Sequence, residues 1–183
     1  MKKGSTYHTK NHIEYDRLRQ MTSLSVPTLK RIQQIEIALC RAVDRVVVLS
    51  EEDRERLKAQ QIPAQKLVYI PHGVDIENYH GQKINLQEKY HLKGLVLFFH
   101  GTLHYAPNTE AVQFIAEQLL PRLPEHVSVL CAGMSPPLKY ASNRLIFTGP
   151  LEDLAAHLQS VDLCICPLFA GGGTRMKLLE YFA

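Results

Sequence analysis

From Leu95 onward the sequence alternates short apolar runs with segments of helical length, and this alternation limits the possible folds more than any other feature. The apolar runs are typical of strands buried on both faces. We predict strands and helices at Leu95–His100, Thr109–Leu120, Val127–Cys131, Leu145–Thr148, Leu151–Leu158 and Leu163–Cys166. Strands that alternate with helices at this spacing form a parallel sheet covered on both faces, so the predicted class is α/β and Rossmann-like.

The first part of the chain has a shorter pattern of the same kind. It predicts a helix at Val26–Val43, a strand at Arg45–Leu49, a helix from Glu51 to about Gln60, a strand at Lys66–Ile70 and a turn at Pro71–Asp75. A polar, irregular stretch then runs to about Gly94. We therefore divide the chain into residues 1–75 as the end of one domain, 76–94 as a linker and 95–183 as an incomplete second domain.

Composition excludes several classes of protein. The net charge of +3 comes from 21 basic and 18 acidic residues that are interspersed, so we expect no nucleic-acid partner. The four cysteines lack zinc-ligand spacing, and we expect them to be reduced packing residues. No apolar run approaches the length of a membrane span, and the polar start lacks a signal peptide. These features predict a soluble, cytoplasmic chain without a transmembrane segment.

Two loops that follow predicted strands have the chemistry of an anion site. Residues 101–108 form the first, and Ala170–Thr174, with three successive glycines, forms the second. A glycine run that opens a helix lets a diphosphate approach backbone N–H groups, while Arg175 and Lys177 add cations and Glu180 can accept from sugar hydroxyls. Spacing alone leaves a second interpretation open, in which Lys177 and Glu180 pair on the surface and the glycines form a turn.

Four stretches, in their order along the chain, resemble one enzyme family. The run Gly171–Ala183 (GGGTRMKLLEYFA) resembles a signature of the group-one retaining glycosyltransferases, which have the GT-B fold. The others are Val47–Leu57 (VVLSEEDRERL), Ile70–Asp75 (IPHGVD) and Phe99–Asn108 (FHGTLHYAPN). The resemblance implies a GT-B-like fragment, in which the tail of a Rossmann-like acceptor-binding domain precedes an incomplete, Rossmann-like donor-binding domain.

The resemblance also implies the activity, which is transfer of a sugar from a nucleotide diphosphate sugar with retention of the anomeric configuration. The donor is a substrate, and neither a cofactor nor a metal is implied. The acceptor is a sugar, a lipid-linked sugar or another molecule, so peripheral contact with a membrane is compatible with it. The implied donor-binding residues are Gly101, Thr102, Gly172, Gly173, Thr174, Arg175, Lys177 and Glu180. Glu180 corresponds to the glutamate that binds the ribose, and no catalytic residue is assigned.

The chain departs from the family pattern at two places. Gly172 stands where the first of two glutamates is usual, and Thr102 and Pro107 replace a basic pair, which leaves the phosphates to Arg175 and Lys177.

Two rival functions fit the same scaffold: a non-catalytic nucleotide-binding subunit and a sugar-nucleotide epimerase. His100 and His104 flank the first loop, where we expect histidines to be solvated or bonded to backbone.

Overall fold

The computed structural model describes residues 6–10, 13–21, 24–170 and 175–183. Within these residues the chain forms two compact units. The first comprises the residues up to Gly73 together with Ala170 and Arg175, and the second comprises residues 74–169 and 176–183.

The first unit contains a parallel sheet of three strands in the order β1-β2-β3. Its elements are β1 (Tyr7–Lys10), α1 (Glu14–Met21), α2 (Val26–Ala42), β2 (Arg45–Val48), α3 (Glu51–Ala59) and β3 (Leu67–Tyr69). Ser25 and Ser50 begin α2 and α3 because each side chain accepts a backbone N–H from the first turn. The core of the unit includes Cys40, Val46, Val48 and Leu57, which are fully buried.

The sequence did not predict β1 and α1. Their backbone groups are satisfied by residues far along the chain, since β1 pairs with β2 and the N-terminus of α1 meets α2. The buried Glu36 carboxylate of α2 accepts the N–H groups of Glu14 at 2.8 Å and of Tyr15 at 3.2 Å. A carboxylate in this position satisfies N–H groups that the helix itself leaves unpaired.

The second unit contains a parallel sheet of four strands in the order β6-β5-β4-β7. Its elements are α4 (Leu86–Tyr90), β4 (Leu95–His100), α5 (Ala106–Phe114), β5 (Val127–Ala132), β6 (Leu145–Gly149), α6 (Leu154–Leu158), β7 (Leu163–Cys164) and α7 (Met176–Phe182). The α/β class with parallel, Rossmann-like sheets is thus confirmed. Helix α5 continues through one π turn, Ile115–Leu119, and a short 3-10 turn.

Alternate residues of β4 pack into two hydrophobic cores on opposite faces of the sheet. One core contains Leu97 and Phe99 with α5 and further strand residues: Ala111, Val112, Ile115, Val129 and Cys131. The other contains Val96 and Phe98 with residues of α4, of the segment after it and of β5: Leu86, Leu92, Leu130 and Ala132. Burial on both faces explains the continuous apolar run from which the strand was predicted.

The segment 76–94, which we predicted to be a linker, packs into the second unit. Leu86 is fully buried in the second of these cores. The Ile84 N–H donates to Ser160 Oγ at 2.8 Å, and the Tyr90 hydroxyl lies 2.8 Å from Nε2 of the buried His157. The polar residues of this segment therefore form the exposed side of a short packed element.

Several element ends differ from the prediction because capping and proline decide them. Helix α5 begins at Ala106 rather than Thr109, with Pro107 in its first turn, where a missing N–H costs nothing. Helix α6 begins at Leu154 rather than Leu151, because the Asp153 side chain accepts from Ala156 N at 2.8 Å.

Candidate functional site

The strand order of the second unit places a candidate site at one edge of its sheet. The chain runs outward from β4 through β5 to β6 and then returns to β7 on the other side of β4. In open parallel sheets, ligands bind at the carboxyl ends of the strands where the order reverses in this way. The loop after β4 and the segment that leads from β7 into α7 both start at this edge.

Two glycines allow the loops after β4 and β5 to approach each other. At Gly133, whose φ is +142°, an added Cβ would lie 1.7 Å from the Gly101 carbonyl oxygen. At Gly101, whose φ is +153°, a Cβ would lie 2.8 Å from Asn108 Nδ2 and 3.3 Å from Lys177 Nζ. A side chain at either position would displace the groups around it.

The backbone N–H of Gly101 donates to Ala132 O at 3.0 Å. We expected Gly101 and Thr102 to lie against a diphosphate. The Gly101 N–H is already used within the sheet, and the space beside its Cα is taken by Asn108 and Lys177, so the contact with a diphosphate stays a prediction. The Thr102 side chain is exposed, while its carbonyl oxygen accepts from Asn108 Nδ2 at 2.9 Å. The loop after β4 is therefore fixed by its own backbone and by Asn108.

The Lys177 ammonium lies beside this loop. Its Nζ donates to Asn108 Oδ1 at 2.9 Å and lies 4.1 Å from the centroid of the buried Phe99 ring. Asn108 is itself 7% exposed and stands in the first turn of α5. Lys177 is thus held next to Gly101 by a hydrogen bond and by a cation–π contact.

The Glu180 carboxylate lies one turn further along α7, where two side chains contact it. The Tyr79 hydroxyl donates to Glu180 Oε1 at 3.2 Å, and His100 Nε2 lies 3.2 Å from Glu180 Oε2. Lys177 and Glu180, for which surface pairing was the second interpretation, both therefore contact side chains from other elements.

His100 differs from the expectation that it is solvated or bonded to backbone through its ring. Its side chain is 14% exposed, stacks on Phe98 and meets the Tyr181 ring edge-on. Burial, with a smaller effect from the Lys177 ammonium, lowers the pKa of His100 to about 4. A carboxylate 3.2 Å away favours the imidazolium, but loss of solvation dominates at this depth, so the ring is neutral at pH 7.

The remaining predicted residues are placed as follows. Arg175 is half-buried and stands one residue before α7, whereas we expected it in the first turn of that helix. Gly172, Gly173 and Thr174 lie outside the described residues, so their predicted contacts remain predictions. His104 is exposed, as expected for a loop histidine.

A cavity of about 200 Å³ opens beside Gly101. Its walls come from the ends of three neighbouring strands, and they include His100, Gly101, Gly133, Met134, Pro150 and Leu151. Most of these groups are apolar or backbone. The cavity can therefore accommodate a flat, weakly polar group, and two of its lining residues, His100 and Gly101, are neighbours of Glu180 and Lys177.

In the part of the chain that the structure describes, no cluster of three or more His, Cys, Asp or Glu side chains is arranged to hold a metal ion. No helix there has the length and apolar character needed to cross a bilayer. The four cysteines are free thiols, and burial raises the pKa of Cys131 to about 12.

Comparison with protein families gives two matches that follow one another along the chain. Residues 2–78 match the model described as Glycosyltransferase Family 4, and residues 94–183 match the model described as Glycosyl transferases group 1. Between them the two models match most of the chain. No curated protein sequence matches it.

Comparison with solved structures gives the same fold at low sequence identity. HepE from Anabaena in complex with UDP has a TM-score of 0.70 at 16% identity, and WaaG, a glycosyltransferase involved in lipopolysaccharide biosynthesis, has 0.68 at 15%. Each match covers 96% of this chain, and the chain spans about half of each matched protein, 50% and 53%. A glycosyltransferase from Rickettsia africae follows with a TM-score of 0.63 at 14% identity, covering 96% of this chain and 48% of its own. By its two family matches and by its fold, the chain belongs to the glycosyltransferases with the GT-B fold.

Proposed function

We propose that this chain binds the donor of a glycosyltransferase that moves a sugar from a nucleotide diphosphate sugar to an acceptor, with retention of configuration. One observation carries the proposal: a fixed ammonium and a fixed carboxylate stand one turn apart at the carboxyl end of β4, beside a glycine that lines a cavity. The match to the group 1 model supports the reaction class. Retention rests on the resemblance of residues 171–183 to the retaining group.

The chemistry of the transfer explains why a cation is needed here. When the bond between sugar and phosphate breaks, negative charge grows on the nucleoside diphosphate that leaves. A cation already held in place stabilises this charge without reorganisation. Lys177 meets the requirement because Asn108 and the Phe99 ring hold its Nζ beside Gly101. Arg175, immediately before α7, is proposed as the second cation.

Glu180 and the neighbouring cavity are proposed to bind the nucleoside. A carboxylate accepts hydrogen bonds from the two adjacent hydroxyls of a ribose, as the resemblance implies for Glu180. The cavity beside Gly101, about 200 Å³, would take the base between apolar and backbone groups. The titles of the HepE structures name UDP and UDP-glucose, which makes these the first compounds to test.

Calorimetry of UDP binding tests the proposal. We expect the chain to bind UDP and Lys177→Met to weaken this binding by about tenfold or more, because a charge-assisted contact to phosphate is lost. Lys89→Met is the matched control. The Lys89 ammonium likewise lies over an aromatic ring, 5.5 Å from the centroid of Tyr90, but Lys89 stands on α4. It is expected to leave the affinity unchanged.

Absence of UDP binding, with ADP, GDP, CDP and dTDP also failing to bind, would contradict the proposed function. An equal loss in Lys177→Met and Lys89→Met would contradict the site. Retention has its own readout, which is the anomer of glucose that hydrolysis of UDP-glucose releases, followed by proton NMR before mutarotation. Release of the α-anomer is expected, and release of the β-anomer would contradict retention.

A further inference from the structure

The Glu180 carboxylate contacts a side chain at each of its two oxygens. Tyr79 OH donates to Oε1 and His100 Nε2 lies beside Oε2, both at 3.2 Å. The Glu180 side chain keeps 23% of its surface exposed, so a ligand can still reach it. A carboxylate has about four positions for accepted hydrogen bonds, and one contact at each oxygen leaves room for a pair of ligand hydroxyls.

Tyr79 reaches Glu180 from a short turn that is itself fixed. It ends the 3-10 turn Ile76–Tyr79, which begins with the Asp75 side chain accepting from Glu77 N at 3.3 Å. The Tyr79 carbonyl accepts from Gln159 Nε2 at 3.2 Å. Partial burial and the nearby Glu180 carboxylate raise the pKa of Tyr79, so its hydroxyl keeps the proton that it donates.

His100 approaches the other oxygen from the end of β4. Its ring centroid lies 5.7 Å from that of Phe98 and 5.3 Å from that of Tyr181, which limits rotation of the imidazole. Its Nε2 is buried, and the residues described by the structure provide it with no aligned hydrogen bond. With a proton on Nε2 the neutral ring presents an N–H to Glu180 Oε2, and a small movement of the carboxylate would align it.

We propose that Tyr79 and His100 are positioning residues, which hold the Glu180 carboxylate in the orientation that binds the ribose hydroxyls of the donor. The inference rests on the proposed function, because it assumes that Glu180 meets a ribose. The physical gain is preorganisation: a carboxylate already held by the protein loses less conformational freedom when ligand binds. A tyrosine contributes its hydroxyl here, whereas a phenylalanine would fill the same space without it.

The test compares Tyr79→Phe with wild-type chain by calorimetry, using UDP and, as a probe without ribose, inorganic pyrophosphate. We expect Tyr79→Phe to weaken UDP binding about three- to tenfold, the range for loss of one modest hydrogen bond, and to leave pyrophosphate binding unchanged. In a Glu180→Ala background, which removes the acceptor of the Tyr79 hydroxyl, the same substitution should have no further effect on UDP. His100→Leu should also weaken UDP binding, while His100→Gln, which keeps an N–H, should restore most of it.

Tyr90→Phe is the matched control, because it removes a tyrosine hydroxyl bonded to His157 in the same unit, at 2.8 Å. It is expected to lower stability and leave UDP affinity unchanged. Unchanged UDP affinity in Tyr79→Phe, an equal loss for pyrophosphate, or an equal loss in the Glu180→Ala background would overturn the inference.

Failure of the proposed function gives a different result from failure of this inference. If wild-type chain binds UDP with dependence on Lys177 but not on Tyr79, only the inference fails. If no nucleotide binds, the proposed function fails, and so does the inferred effect of Tyr79 and His100 on ribose binding. The contact itself is then decided by urea unfolding. The effects of Tyr79→Phe and Glu180→Ala on the free energy of unfolding should be non-additive, and additive effects would show that Tyr79 does not hold Glu180.

Discussion

At the scale of single residues, the site depends on side chains whose environment sets their chemistry. His100 is a histidine that burial keeps neutral, Lys177 is a cation that Asn108 and Phe99 hold in place, and Glu180 contacts a tyrosine hydroxyl. Each of these properties comes from a neighbour far away in the chain. Substitutions at this scale should therefore change protonation and orientation more than they change the fold.

His100 gives a prediction about pH. Its pKa is near 6.5 in the unfolded chain and about 4 in the folded chain, so the unfolded state binds the extra proton first. Neutral His100 therefore makes its full contribution to the free energy of unfolding above pH 6.5, and this contribution is lost as the pH falls towards 4. We expect the loss to be about 2–3 kcal/mol of unfolding free energy between pH 7 and pH 4.

Urea unfolding of wild-type chain and of His100→Asn, at several pH values from 4 to 7, measures this contribution. The groups facing the ring are Lys177, Glu180 and Tyr181, and they are present in both proteins. The variant should show a shallower dependence on pH, and the exposed His104→Asn should match wild type. If His100→Asn kept the full dependence, His100 would not be the buried neutral histidine described.

At the scale of elements, Asn108 connects the loop after β4, the start of α5 and the final helix. Its amide donates to Thr102 O and accepts from Lys177 Nζ, both at 2.9 Å. We predict that Asn108→Ala costs about 1–3 kcal/mol of unfolding free energy, because it removes both hydrogen bonds of a buried side chain. It should also weaken UDP binding, since the Lys177 ammonium loses its hydrogen bond to Asn108.

Chemical unfolding and calorimetry on the same sample check both effects. Asn85→Ala provides the comparison, because Asn85 accepts from Glu88 N at 3.1 Å and caps α4 without contact to Lys177. That variant should lose some stability and keep its affinity. An Asn108→Ala protein with wild-type affinity would show that Lys177 is placed without the amide.

Elements whose signal is local could be predicted from the sequence. The strand Leu95–His100 was predicted at the bounds observed, because burial on both faces requires a continuous apolar run. The packing of segment 76–94 was missed, since Leu86 and Leu92 are isolated among polar residues. Of the candidate site, Lys177 and Glu180 could be named from the sequence because a motif surrounds them, and their contact with a donor stays a prediction. Tyr79 and His100 carry no such local signal, and only the tertiary contact to Glu180 reveals them.

At the scale of the whole molecule, the described residues form two units, each with a parallel sheet, and the strand order of the second reverses at the edge where we propose the ligand binds. Three neighbouring loops of the second unit are tied at that edge by backbone hydrogen bonds, from Gly101 N to Ala132 O and from Gly133 N to Gly149 O. The fold thus supplies the frame on which the proposed nucleotide site is built.

The most direct test of this account is the location of bound nucleotide on the chain. In ¹H–¹⁵N correlation spectra of the labelled chain, titration with UDP should shift the backbone amides of residues 100–102, 133–134 and 177–181. Residues 91–93 and 143–144, at the opposite edge of the same sheet, should keep their positions. Shifts confined to that opposite edge or to the first unit would contradict the account, because the nucleotide would then bind away from Lys177 and Glu180.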